Sequence, residues 1–203
     1  MSQLFESIMV VDGIARHLAL HSARMNRSRS QLFGSVPAIN LEQVLPPLLR
    51  SAFGLCKCRV VYDREIRSVE CAPYQQRRIS GLVLVHDNEI RYDHKYLDRS
   101  TLEKIPGIAE TEEAVIVQEG LITDTRYSNI VLADGPIRVT PANPLLRGIQ
   151  REYLLSIGAI REEEVRVKDI QRFEKVILIN AMMELETGPV IDRAKIRVAI
   201  GRS

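Results

Sequence analysis

Apolar and β-branched residues crowd Leu4 to Val11, and the pair Asp12-Gly13 that follows is a two-residue hairpin signal. That pattern predicts a strand and a tight turn. From about Leu18 to Phe33 the period lengthens, with Leu18, Ala19, Ser22, Met25 and Arg29 at helical spacing. A second amphipathic helix is expected over Leu41 to Phe53, with Pro46-Pro47 at a bend and Gly54 as its end. Arg59 to Tyr62, Ile66 to Glu70 and Ile79 to Val85 read as a strand meander. The polar run His86-Asp87-Asn88-Glu89 breaks the pattern, and the chain is expected to divide there into lobes 1–87 and 88–203.

Beyond the break, a charged helical segment is expected from about Asp98 to Lys104, then a strand over Ala114 to Gln118. Glu119-Gly120 turns into a longer strand, Ile122 to Leu132, which polar residues interrupt. Gly135-Pro136 leads to Ile137 to Thr140, a helix begins near Gly148, and strands are expected at Glu164 to Val167 and Lys175 to Asn180. The last of these runs into a short turn of helix. The expected fold class is α+β, with two sheet-based lobes joined near residues 86 to 93.

Composition mainly removes possibilities. The 203 residues are 45% hydrophobic and 27% charged with a formal net charge of +2, which is ordinary for a globular chain. Basic residues are scattered among acidic ones and form no aromatic-interleaved stripe, so no nucleic-acid partner is expected. No apolar run approaches the roughly 20 residues of a membrane span. The start, Met-Ser-Gln-Leu-Phe-Glu, has neither a basic nor an apolar leader region, so no secretory signal is expected. Three cysteines, Cys56, Cys58 and Cys71, suit a reducing compartment, and the expected location is the cytoplasm. Cys56-Lys57-Cys58 matches neither usual zinc spacing, and His17 with His21 lacks a third ligand, so no metal site is expected.

Four places could carry chemistry. Lys95 lies between His94 and Tyr96, just past the break, where partial desolvation would favour the neutral, nucleophilic amine; from the residues alone an ordinary surface lysine is the stronger reading. Asp124, Arg126 and Ser128 would share one face of a strand, facing either a polar site or water. Leu145-Leu146-Arg147-Gly148-Ile149-Gln150-Arg151 opens a helix after Pro141 and Pro144, and its first-turn amides suit a phosphate. Asn180-Ala181-Met182-Met183 offers a second strand-to-helix turn. Many such helix starts bind nothing.

In this order the pieces resemble the class IV aminotransferases, the fold-type IV pyridoxal-phosphate enzymes. Leu4-Phe5-Glu6-Ser7-Ile8 with Asp12-Gly13 is similar to the family's opening hairpin, and His21 to Ser28 to its His-x-x-Arg helix. Lys95-Tyr96-Leu97-Asp98-Arg99 falls where the Schiff-base lysine belongs. Ile122 to Val131, Thr140-Pro141 with Leu145 to Arg151, and Asn180 to Met183 follow the family's remaining motifs, so the likeness spans about Leu4 to Ile191.

The resemblance implies a two-lobed fold like that of D-amino-acid aminotransferase, with a small N-terminal α/β sandwich lobe and a C-terminal sheet-based lobe. It implies pyridoxal 5'-phosphate on Lys95, with Arg24, Gly148, Ile149, Gln150, Asn180, Ala181 and Met182 around the cofactor and Asp124 at its ring nitrogen. The family usually has Glu there, and the shorter Asp reaches about 1.5 Å less. Phe5 and Ser7 are candidates for the substrate pocket. Arg126 either meets a substrate carboxylate or pairs with Asp124. The Lys-x-Leu-Asp-Arg run and Asn-Ala-Met-Met lean toward 4-amino-4-deoxychorismate lyase of folate biosynthesis. Branched-chain or D-amino-acid aminotransferase is the alternative, and a binding protein without turnover the second. The expected partners are a small amine or amino-acid substrate and a second copy in a homodimer, without a membrane.

Overall fold

The computed structural model describes residues 2–199. By contacts the chain forms two units, one of Met1–Gln76 with His94–Asp98, the other of Arg77–Asp93 with the chain from Arg99 onward. These are not two consecutive stretches divided after residue 87. The strand Gly81–His86 pairs within the second unit, and the segment carrying Lys95 belongs to the first.

The first unit begins with β1 (Leu4–Val11), turns at Asp12-Gly13 into β2 (Ile14–Ala15), and continues into α1 (Leu18–Phe33). A short α2 (Leu41–Val44) follows, then β3 (Leu55–Tyr62) and β4 (Ile66–Pro73). The strands form an antiparallel sheet in the order β2-β1-β3-β4. Alternation along β1 sends Leu4, Ile8 and Val10 into a core with Met25 of α1, Leu41, Leu45, Leu49, Cys58 and Val60. Leu41, Leu45 and Leu49 keep the helical spacing seen in the sequence, but the expected long helix does not form. Pro46 and Pro47 lack the amide hydrogens an α-helix needs, and the chain tightens into a 3-10 turn at Pro46–Leu48.

The second unit starts with β5 (Gly81–His86), which is no part of a meander with β3 and β4. A single helical turn, α3 (Ser100–Glu103), is shorter than expected and leads to β6 (Glu112–Gln118) and β7 (Leu121–Thr125). Then come β8 (Asn129–Asp134), β9 (Ile137–Pro141), α4 (Ile149–Ser156), β10 (Arg161–Glu163), β11 (Lys175–Ile179), β12 (Val190–Asp192) and β13 (Ile196–Val198). They form two sheets, β13-β5-β6-β7 and β10-β9-β8-β11-β12. The polar stretch within Ile122 to Leu132 is therefore a change of sheet: β7 ends at Thr125 and β8 starts at Asn129. Residues 164–167 are not a strand, and Asn180 begins a tight turn rather than a helix.

β8 shows why its apolar run is continuous. Ile130 and Leu132 enter one cluster with Leu82, Val115 and Leu178, while Val131 and Ala133 enter another with Leu154 of α4 and Ile177. A strand covered on both faces needs no polar alternation. None of the described helices is long and apolar enough to cross a membrane.

The β1–β2 hairpin tests the local reading of the first unit. Asp12 and Gly13 both have positive φ, as a type I′ turn demands, and Asp12 Oδ1 accepts a hydrogen bond from the Gly54 amide at 2.8 Å. A Cβ at Gly13 would lie 3.2 Å from the Leu49 carbonyl oxygen. Gly13→Ala is expected to cost about 1–2 kcal/mol, seen as a lower urea midpoint with an unchanged slope. An unchanged midpoint would show that the hairpin tolerates a side chain.

Candidate active site

In the first unit, Lys95 lies in a return of the chain alongside β1. The Phe5 amide donates to the Lys95 carbonyl at 3.0 Å, the Leu97 amide to Gln3 at 2.8 Å, and Tyr96 bridges to Leu4. Because β3 pairs along the whole of β1, this return occupies the other edge, at the end that β2 does not reach. Lys95 is half-buried, with Nζ 4.6 Å from the centre of the Phe5 ring, and Arg59 packs on that ring at 4.8 Å. Ser7, two residues along, is half-buried on the same face.

Glu6 faces the other way, at a core position between Leu4 and Ile8, and has no exposed surface. Its carboxylate accepts from Arg24 Nε at 3.0 Å, from Arg24 Nη2, and from His21 Nδ1 at 2.6 Å. Burial pushes the Glu6 carboxyl up, but Arg24 and His21 outweigh it and hold it down at about 2. Burial lowers the His21 pKa against the opposing pull of Glu6, and an ionised Glu6 can only accept from its Nδ1. His21 and Arg24 reach one strand position because i and i+3 share a helix face. His21 is thus neither a surface group nor a cap, and Arg24 is buried with an ion-pair partner already in place.

In the second unit, Asp124 is the penultimate residue of β7 and is 4% exposed. One carboxyl oxygen accepts from Asn129 Nδ2 at 2.7 Å and the other from the Leu146 amide at 2.9 Å. Desolvation dominates these neutral donors and pushes the Asp124 carboxyl up to about 7. Asn129 also donates to the Leu146 carbonyl at 2.8 Å and accepts from the Gly148 amide at 3.1 Å. A Cβ at Gly148 would overlap the Asn129 side-chain oxygen, so only glycine fits this start of α4. Gly148 caps α4 without a side chain, and Ile149 and Gln150 are buried in its first turn.

Arg126 does not pair with Asp124. It lies in the turn after β7 and binds Glu113 through Nε at 2.6 Å, because the change of sheet takes it off the Asp124 face. Ser128 closes that turn, with its amide donating to Thr125 Oγ1 at 2.8 Å. Asn180 donates to the Tyr127 carbonyl at 3.2 Å and accepts from the Met182 amide at 2.8 Å. The amides around Ala181 therefore form a compact turn, with no helix dipole behind them.

The predicted residues thus gather as Phe5, Ser7 and Lys95, with Arg24, in the first unit, and as Asp124 with Gly148, Ile149 and Gln150 in the second. Glu6, His21 and Asn129 were missed. Glu6 carried a signal, since the alternation Leu4, Glu6, Ile8, Val10 puts a carboxylate on an apolar face. Among the described residues no group of three or more His, Cys, Asp or Glu side chains could hold a metal ion.

Residues 3–186 match the profile of Amino-transferase class IV. An uncharacterized Haemophilus influenzae protein is 32% identical over 187 residues, covering 90% of this chain and 98% of its own. The crystal structure of a candidate 4-amino-4-deoxychorismate lyase from Haemophilus somnus 129pt has a TM-score of 0.84 at 28% identity, covering 93% of this chain and 98% of that one. A pyridoxal-phosphate-bound hypothetical aminotransferase from Mycobacterium tuberculosis has a TM-score of 0.70 at 17% identity, covering 93% and 80%. With its fold and nearly its whole length matched in this way, the chain belongs to the class IV aminotransferase family and is a pyridoxal-phosphate-dependent enzyme.

Proposed function

We propose that the chain is a 4-amino-4-deoxychorismate lyase, which releases pyruvate and leaves 4-aminobenzoate, with Lys95 as its catalytic residue. The observation that carries this reading is the near end-to-end likeness to the Haemophilus somnus protein. The run Lys95-Tyr96-Leu97-Asp98-Arg99 and the Asn180-Ala181-Met182-Met183 turn support it. The same reading assigns the enzyme to the cytoplasm and to a homodimer in the folate pathway.

The donor set suits pyridoxal phosphate on two counts. Asp124 is a buried carboxyl whose only close donors are neutral, so a cationic ring nitrogen would restore its charge and relieve its desolvation. The first turn of α4 has no capping side chain, and its amides lack intrahelical acceptors, which favours a phosphate.

Pyridoxal phosphate, when bound, supplies an aldehyde carbon that condenses with amines and a ring that accepts an electron pair. In the second unit the Ile149 and Gln150 amides would hold its phosphate, with Ala181 and Met182 beside it, and in the first unit Arg24 is the candidate phosphate ligand. Asp124 keeps the ring nitrogen protonated. Lys95 Nζ would hold the cofactor at rest and, once released, would be the base that removes the proton from the substrate carbon bearing nitrogen. Cleavage of the enolpyruvyl ether then aromatises the substrate ring. The proton on Nζ passes to the departing methylene carbon, completing pyruvate. Phe5, beneath Nζ, limits the space in which the amine moves, and Ser7 borders the substrate. Arg126, with Nε committed to Glu113, offers a substrate carboxylate only the rest of its guanidinium.

Borohydride treatment of the loaded protein is expected to fix the cofactor to the peptide containing Lys95, as read by mass spectrometry. Lys95→Ala should show no such product and lose about a thousandfold in 4-aminobenzoate formation. Product formation that requires a keto acid would make the enzyme an aminotransferase, and fixation at another residue would remove Lys95 from the mechanism.

Asp124 gives a second expectation for the cofactor-free protein. Its folded pKa lies above the ordinary 3.8, so the folded state keeps a proton that the unfolded state releases. The stability it contributes is present below pH 3.8 and is lost as pH rises to about 7. Asp124→Asn, which cannot titrate, should therefore gain on the parent in Tm by roughly 5 °C between those limits. A difference independent of pH would show that the Asp124 carboxyl titrates normally.

A further inference from the structure

Glu6 poses a problem of sign. Arg24 is read above as a ligand of the cofactor phosphate, yet a fully buried carboxylate is already bonded to it. A like charge beside an anion site opposes the anion, and burying an ionised carboxylate is itself unfavourable. Both costs could be avoided with Gln or an apolar residue, which the core around Leu4 and Ile8 would readily take.

The geometry shows what the charge achieves. Arginine has many accessible rotamers, so an arginine that must meet a phosphate in one orientation gains from being fixed beforehand. Glu6 engages the guanidinium through two nitrogens, Nε and Nη2, which sets the plane of the whole group. His21 donates to the Oε2 atom that also accepts from Nη2, and so fixes the carboxylate in turn. β1 supplies the carboxylate and one face of α1 supplies both donors, on elements whose backbones are held by the sheet and the core.

We propose that Glu6 is the positioning residue for Arg24: its carboxylate, fixed by His21, orients the guanidinium for the cofactor phosphate. The proposal rests on the phosphate role of Arg24 argued above. It predicts an effect opposite to that of charge alone. Removing a negative charge from an anion site should tighten phosphate binding, whereas removing the clamp should weaken it.

The test compares pyridoxal phosphate with pyridoxal, which lacks the phosphate, in spectroscopic titrations of wild type, Glu6→Gln, Glu6→Asp, Arg24→Ala and the Glu6→Gln/Arg24→Ala double variant. The dissociation constant of pyridoxal divided by that of pyridoxal phosphate isolates the contribution of the phosphate. It is expected to fall about tenfold in Glu6→Gln with pyridoxal binding little changed, and to show no further fall when Glu6→Gln is added to Arg24→Ala. Glu6→Asp keeps the charge and withdraws the clamp, so it should lower the ratio as well, and it decides the matter if Glu6→Gln does not fold. A ratio that is unchanged or raised in the Glu6 variants overturns the proposal. So does an equal loss for both ligands, or a loss that persists without Arg24. Fixation of the cofactor on Lys95 in wild type, with the ratio unaffected by Glu6, removes this role alone and leaves the proposed function standing.

Discussion

The side chain of Asn129 bonds to Asp124 and to both backbone groups at the Leu146–Gly148 turn. Through that one amide, the end of β7, the start of β8 and the start of α4 are fixed to one another. Few side chains could do it. The amide offers both a donor and an acceptor at one reach, whereas aspartate would set an oxygen against the Leu146 carbonyl and glutamine would be too long. The absence of a side chain at Gly148 belongs to the same constraint, because the Asn129 oxygen fills the volume a Cβ would need. The second unit changes sheets at this point, and the placement of Asp124 and of the first turn of α4 follows from it.

The two units bury their carboxyl groups in opposite electrical states. Glu6 and Asp124 are both desolvated, but Glu6 has a guanidinium and an imidazole against it, while Asp124 has an amide side chain and backbone N–H groups. Burial alone raises a carboxyl pKa; the groups against Glu6 reverse that direction, whereas the hydrogen bonds at Asp124 and the Arg151 charge do not. Glu6 is therefore a settled anion over the whole neutral range, and Asp124 is poised to gain or lose its proton there. A settled charge suits a group that holds another in place. A poised one suits a group whose charge can change with what is placed beside it.

How much of this was legible in the sequence depended on the range of the interaction. α1 was legible over all 16 residues because its period is local and uninterrupted. The spacing of Leu41, Leu45 and Leu49 also reported burial correctly, although the two prolines broke the helix that spacing implied. β7 and β8 were read as one strand because both are apolar, and a pattern of burial does not say which sheet buries a residue. The parallel pairing of β5 with β6 and with β13 joins residues far apart in the chain and leaves no local mark. In the candidate site, motif order singled out Lys95 and Asp124. Glu6 could have been found by alternation alone, while Asn129 could not, since a polar residue at the start of a strand is commonplace.

The five residues His94–Asp98 have a consequence for how the molecule comes to exist. The chain leaves the first unit after Gln76, comes back at His94, and leaves again after Asp98. During synthesis, β1 therefore emerges long before the segment that completes its free edge, and until then it presents unpaired amide and carbonyl groups near Leu4 and Phe5. Lys95 arrives with that segment. That side chain is absent while the edge is open, and the closing of the sheet is the same event that delivers it.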